Sequence, residues 1–162
     1  MKVLKYIVFI CLSISSAYAQ DDQWILDGGV GVFNSGKNSL SETKMLTLGI
    51  QEELWGPLKD RAVVGGWIDN AGGGKSGSAL ASGQIGFEVN RDGLVGGIFT
   101  GPAFISTPDI LLGSRFEFMD DIHLGIQDTG NNYIGVFYRH LSDAGLSSVN
   151  IGRDIIGIEL RF

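Results

Sequence analysis

Cysteine occurs once in the 162 residues, at Cys11, and a lone cysteine excludes an internal disulfide framework as the source of stability. Proline is nearly as scarce, with three residues. Together with the ordered alternation of side chains along the chain, this argues against a disordered protein. After the first twenty residues no apolar run approaches the ~18 of a membrane-spanning helix. Positive charge is short as well: 12 Lys and Arg stand against 18 Asp and Glu, a formal net charge of −6. Nucleic-acid binding, which relies on neutralising phosphates, is thereby disfavoured. Glycine, in contrast, is abundant at 25 residues.

The first residues read as an export signal. Lys2 and Lys5 precede an apolar stretch from Tyr6 to Ile14, and Ala17-Tyr18-Ala19 follows. A basic start, a short apolar middle and a small-x-small site predict a secretory signal peptide over residues 1–19, cut before Gln20. Ile10 precedes Cys11, where a lipoprotein anchor would want a small residue. The exported chain would then carry no cysteine, and 10 basic residues would face 18 acidic ones, a net charge of about −8. Residues 20–162 suit one domain.

What fills that domain is alternation with a period of two. It predicts eight strands, at roughly 24–33, 43–54, 61–70, 79–90, 93–105, 112–128, 132–142 and 154–162. In the first, Trp24, Leu26, Val30 and Val32 share a face with Gly28; in the second, Leu46, Leu48 and Ile50 alternate with Met45, Thr47 and Gln51. In the sixth, Phe116, Phe118, Ile122, Leu124 and Ile126 oppose Arg115, Glu117, Asp121, His123 and Gln127. Asp120 falls on the apolar face, and a bulge or turn near Met119-Asp120-Asp121 would account for it. The fifth strand is apolar or glycine on both faces and fixes no orientation.

The non-apolar faces carry opposite charges (Glu88, Glu117, Arg115, Arg139, Glu159, Arg161) and much glycine. A soluble sandwich or lipocalin-like barrel would turn the apolar face inward. An eight-stranded antiparallel transmembrane β-barrel of the outer membrane turns it outward, around a polar, hydrogen-bonded interior, and closure pairs every backbone group in lipid. The connections agree. Trp55–Asp60, Asn90–Gly93 and Thr129–Asn132 fall at one end, and the generally longer Asn34–Glu42, Ala71–Ser78, Ser106–Leu111 and Asp143–Arg153 fall at the other. Short periplasmic turns and longer extracellular loops are the expected asymmetry.

Alternation also places three reactive residues together. His140 and Ser142, two apart on the seventh strand, share one face. The eighth strand begins with Asp154 on the face of Ile156, Ile158, Leu160 and Phe162. A Ser-His-acid set would then face outward among apolar residues, a placement that suits a substrate which is itself a membrane lipid.

The stretch His140-Leu-Ser142-Asp143-Ala-Gly145-Leu, with Asn150, Gly152, Asp154 and a final aromatic, resembles the lipid A 3-O-deacylase (PagL) family. Phe116-Glu-Phe118-Met-Asp-Asp-Ile122 is similar to that family's sixth strand. The specific likeness spans roughly residues 112–162. It implies an outer-membrane esterase acting on the 3-O-linked acyl chain of lipid A. Ser142 would be the nucleophile, His140 the base, Asp154 the acid that orients the imidazole, and the backbone N–H groups of Asp143 and Gly145 the oxyanion donors. No metal or cofactor is required. The partners implied are lipopolysaccharide and outer-membrane lipids, and a homodimer is left open. Two positions depart from the family pattern: Asp143 stands where Asn is usual, and Asp154 replaces Glu. A carboxylate at Asp143 has no proton to donate to an oxyanion.

Blander readings attend each feature. A His-x-Ser pair taken alone is common by chance. A non-catalytic or degenerate small barrel with a structural, adhesion or resistance role is the alternative from another class, and an acyltransferase barrel a third. His123, inward among Glu117, Asp121 and Gln127, reads as an interior hydrogen-bond partner rather than a ligand. Asp120 and Asp121 point to opposite faces and make no cation site. Residues 71–76 resemble a phosphate loop but have Asp69 where its first glycine belongs, and are expected to be an ordinary loop. Arg139 and Arg161 are expected to pair with interior acids.

Overall fold

The computed structural model describes residues 22–33, 43–69, 76–108, 112–146 and 152–162. The predicted signal peptide, Asn150 and most of the long loops, including residues 71–75, lie outside the described residues. Eight strands run in chain order: β1 (Gln23–Phe33), β2 (Lys44–Trp55), β3 (Leu58–Asp69), β4 (Ser76–Arg91), β5 (Leu94–Ile105), β6 (Phe116–Gln127), β7 (Tyr133–Ser142) and β8 (Arg153–Arg161). Each pairs antiparallel with the next, and β1 pairs with β8 to close a barrel. Closure leaves no sheet edge with unpaired backbone groups.

Side-chain alternation is what sets the register. Leu46, Val64, Ile85, Phe87, Ile122, Leu124, Val136, Ile156 and Ile158 are exposed on the outer wall, while their sequence neighbours point inside. Hairpin chemistry fixes the short end. Asp92 and Gly93 both take positive φ, 54° and 85°, as a two-residue turn of the hairpin-favoured hand requires. In the β6–β7 turn the Asp128 carboxylate accepts from Gly130 N, Asn132 N and Asn132 Nδ2. The Asn132 donors hold that carboxyl below its ordinary range.

Four expectations need correction. β4 begins at Ser76, three residues early, because Ser76 already pairs with Asp69, and β6 begins at Phe116, four residues after the expected start at 112. β3 begins at Leu58, three residues early, because Leu58, Lys59 and Asp60 already pair with Phe87, Gly86 and Ile85; the connection shrinks to Gly56-Pro57. And β6 has no bulge. Its register runs unbroken from Phe104↔Phe116 to Leu94↔Ile126 on one side and from Phe118↔Ser142 to Gln127↔Tyr133 on the other. Asp120 therefore stays in step and faces outward, exposed.

The interior is layered. Toward the short-turn end, Arg61 spans Glu159 with two bonds, 3.0 and 3.2 Å. Arg161 reaches Glu159 and Glu88, 2.6 Å each, and His123 bonds Glu88 at 2.9 Å. In the middle, Arg139 bonds both Asp121 oxygens, at 2.7 and 2.8 Å, and Asp27 at 2.9 Å. The expected pairing of Arg139 and Arg161 with interior acids, and the hydrogen-bonding role of His123, are thus found. Toward the loop end an apolar plug takes over, built from Met45, Val63, Trp67, Leu80, Ala103, Ile105, Leu112, Met119, Phe137, Leu141 and Ile155. Above it Arg153 bonds Asp69 at 3.2 Å and also Thr43. β5, unreadable from its pattern, turns Val95, Phe99, Ala103 and Ile105 inward, and Phe99 lies 3.9 Å under the Arg61 guanidinium.

Candidate active site on the outer wall

β7 and β8 bring His140 and Asp154 face to face, as directly paired residues. The His140 Nδ1 bonds Asp154 Oδ1 at 2.7 Å, and both side chains are part-buried, 35% and 24% exposed. With Nδ1 donating to the carboxylate, Nε2 is the ring nitrogen left to accept a proton. Ser142 lies two residues along β7 on the same outward face, half-buried at the strand end. No hydrogen bond joins Ser142 to His140 among the described residues. Catalytic contacts of this kind commonly tighten only around bound substrate.

Two further residues build the pair, and sequence reasoning had assigned neither a role. Tyr138, which alternation along β7 puts on the apolar wall with Ile134 and Val136, donates its hydroxyl to Asp154 Oδ1 at 2.6 Å. Its direct partner on β8 is Ile156, so the ring reaches Asp154 along the diagonal, a span open to long aromatic side chains. One carboxylate oxygen thus receives both Tyr138 and His140. The available signal was spacing: Tyr138, His140 and Ser142 share parity. Tyr138→Phe is expected to lower turnover about tenfold with KM nearly unchanged, since a hydrogen bond to a charged group contributes about 1.5 kcal/mol. Steady-state kinetics on the variant check this.

Gly152 is the second. Its φ is +80°, a region that L side chains rarely adopt. A Cβ there would sit 2.7 Å from His140 Cε1 and 3.4 Å from Nε2, so the absent side chain is the space the imidazole occupies. Gly152→Ala is expected to displace the ring and slow turnover about a hundredfold, the usual penalty for roughly 1 Å of misplacement. A crystal structure of the variant with the ring unmoved, or unchanged kinetics, would refute that reading.

The turn after Ser142 is tight. Asp143 is fully buried; its Oδ1 accepts the Gly145 N–H at 2.9 Å, and its carbonyl accepts Leu146 N at 3.0 Å. Ala144 and Gly145 both take positive φ, 53° and 81°. The Gly145 N–H, one of the two expected oxyanion donors, is engaged by the Asp143 carboxylate in this conformation. That carboxylate belongs to the inward parity and braces the turn from within.

Beyond the pair, the register extends a polar row across four strands: Thr100↔Asp120, Asp120↔His140 and His140↔Asp154. Thr100 donates to Asp120 Oδ1 at 2.5 Å. A cavity of about 490 Å³ opens elsewhere, at the short-turn mouth near Gln51, Glu52, Lys59, Glu88 and Gln127, remote from this wall. Among the described residues no group of acids, histidines and cysteines is arranged to hold a metal.

Comparison with known proteins gives a consistent result. A family profile described as lipid A 3-O-deacylase (PagL) matches residues 59–162. A lipid A deacylase PagL of Bordetella bronchiseptica is 45% identical over 51 residues, which are 32% of this chain and 29% of that protein; the aligned part spans under a third of the relative. The crystal structure of an outer membrane enzyme, PagL, superposes with a TM-score of 0.60, covering 88% of this chain and 99% of that one at 19% identity. The outer membrane protein Ail of Yersinia pestis superposes with a TM-score of 0.53, covering 88% and 100% at 14% identity. At these identities the two structures speak to the barrel alone, which hosts more than one function.

Proposed function

Because the chain belongs to the lipid A 3-O-deacylase (PagL) family, we propose that it is an outer-membrane esterase that removes the 3-O-linked acyl chain of lipid A by a Ser142-His140-Asp154 mechanism. The observation that carries the reading is the His140–Asp154 bond on the outward wall, beside Ser142. Substrate would approach from within the leaflet, its ester against the end of β7. Ser142 Oγ attacks the ester carbonyl while His140 Nε2 takes the hydroxyl proton. Asp154 holds the other ring nitrogen and stabilises the imidazolium. Collapse of the tetrahedral intermediate breaks the bond to the sugar oxygen, which leaves with the proton from His140. Water, deprotonated by the same imidazole, then releases the fatty acid and restores Ser142.

Oxyanion stabilisation falls to backbone N–H groups of the turn after Ser142. The Asp143 N–H stands first; the Gly145 N–H joins only when the Asp143 carboxylate releases it. The test incubates detergent-solubilised protein with lipid A and follows it by mass spectrometry. Loss of one ester-linked chain from wild type, and none from Ser142→Ala, supports the proposal. No loss from wild type favours the non-catalytic barrel, and equal loss from the variant sinks the Ser142 mechanism.

A further inference from the structure

Asp120 is a carboxylate where the wall is otherwise apolar. Phe116, Phe118, Ile122, Leu124 and Ile126 share its face of β6, and an ionisable group in such a face calls for a partner and a purpose. Its partner is Thr100, directly across on β5, whose hydroxyl donates to Oδ1. Oδ2 has no partner among the described residues and is open to the outside, since Asp120 is exposed. On its other side Asp120 is paired in register with His140, one strand away and opposite to Asp154.

An ionised carboxylate only accepts hydrogen bonds, and the Thr100 proton is already directed at Oδ1. A group that docks here must therefore bring its own donor. A lipid whose ester carbonyl lies at Ser142 and His140 places the atoms nearest that ester over Asp120. We propose that Asp120, held by Thr100, is a substrate subsite that binds a hydroxyl or amide hydrogen of the lipid close to the scissile ester. It discriminates against esters that lack the donor. This rests on the esterase reading for its position, though the subsite itself needs only binding. In a hydrocarbon setting an unmet acceptor is expensive. A site built to accept a donor therefore rejects analogues without one more strongly than an apolar pocket rejects a missing methylene.

The test uses three glucosamine-based lipid esters: a parent with a hydroxyl on the ester-linked chain and a neighbouring amide, an analogue with the hydroxyl replaced by hydrogen, and one with the amide replaced by an ester. Full-length protein in detergent is compared as wild type, Asp120→Leu and Thr100→Val, with folding monitored by heat-modifiable electrophoretic mobility. Wild type is expected to prefer the parent over one analogue by about ten- to hundredfold in kcat/KM. Asp120→Leu should remove that preference by slowing the parent and speeding the analogue, since no unmet acceptor is left against it. Thr100→Val, which keeps the charge but frees its orientation, should narrow the preference. Equal slowing on all three lipids would overturn the subsite, as would an unchanged preference in Asp120→Leu.

The same lipids bound to the Ser142→Ala protein, measured by calorimetry, separate the two readings. Tighter binding of the parent that disappears with Asp120→Leu supports the subsite even where wild type hydrolyses nothing. Equal binding of all three overturns it even where hydrolysis proceeds.

Discussion

Ser142→Ala and His140→Ala are each expected to slow lipid A deacylation by about 10⁴-fold, and the double variant to be no slower than either alone. The reason lies in how the residues depend on one another. Ser142 is a weak nucleophile until a base takes its proton, and His140 Nε2 has no proton to take once Ser142 is gone. The loss should fall on kcat, because in the proposed mechanism the outer wall holds the ester and these two groups gain their interactions in the transition state. Asp154→Asn should fall between wild type and these variants, since the amide side chain still meets Nδ1 but offers no charge to the imidazolium. Quenched time courses with mass-spectrometric readout decide the matter. Losses that multiply in the double variant would mean that the two residues act independently, and the proposed mechanism would fall.

Arg139→Met is expected to destabilise the barrel by about 3–5 kcal/mol, the usual loss when one member of a buried ion pair is removed. Arg139 is fully enclosed and holds Asp27 and both oxygens of Asp121, and Thr47 donates to the same Asp27 oxygen that Arg139 reaches. Without the guanidinium two carboxylates remain inside the barrel with no cation between them. Adding Asp27→Asn and Asp121→Asn should restore most of the loss by removing the orphaned charges. Guanidinium titrations in detergent, read by tryptophan fluorescence, measure the midpoints. Lys59→Ala, which removes the exposed bridge to Glu53, should leave the midpoint where it is, because exposed pairs are screened by solvent. If the triple variant were as unstable as Arg139→Met, packing around the side chain and not charge would be the cause.

Most of the barrel is legible in the sequence because a half-buried strand writes its environment in every second residue. Trp24 and Leu26, Leu46 and Leu48, and Ile122 and Leu124 each declare a wall, and the intervening charges an interior. β5 is silent for a physical reason. Its inward Ala103 and Ile105 help fill the plug and its inward Phe99 stacks under Arg61, so both faces had to be apolar. The site was half legible. Parity places His140, Ser142 and Asp154 on one wall, but parity alone assigns Tyr138 to the lipid, since a phenol is apolar along most of its length and only its tip reaches Asp154. Asp120 misled in the opposite direction. A carboxylate among phenylalanines reads as a break in the strand, and the unbroken register on both sides makes it a wall residue. Gly152 and the Asp143 turn depend on φ angles and on a bond from side chain to backbone, neither of which has a periodic trace in sequence.

The plug and the three arginine layers beneath and above it also bear on what the barrel does to the membrane it crosses. A closed sheet of eight strands surrounds a bore only wide enough for side chains, and here that bore is taken up by Trp67, Met119, Phe137, Leu141 and the guanidinium networks. Among the described residues side chains fill the axis, so no open route for ions or nutrients runs between them, and abundant expression is expected to leave the permeability barrier intact. The surface proposed to work on lipid and the plugged body are separated by the thickness of one sheet, and changes to the outer wall can retune the first without opening the second.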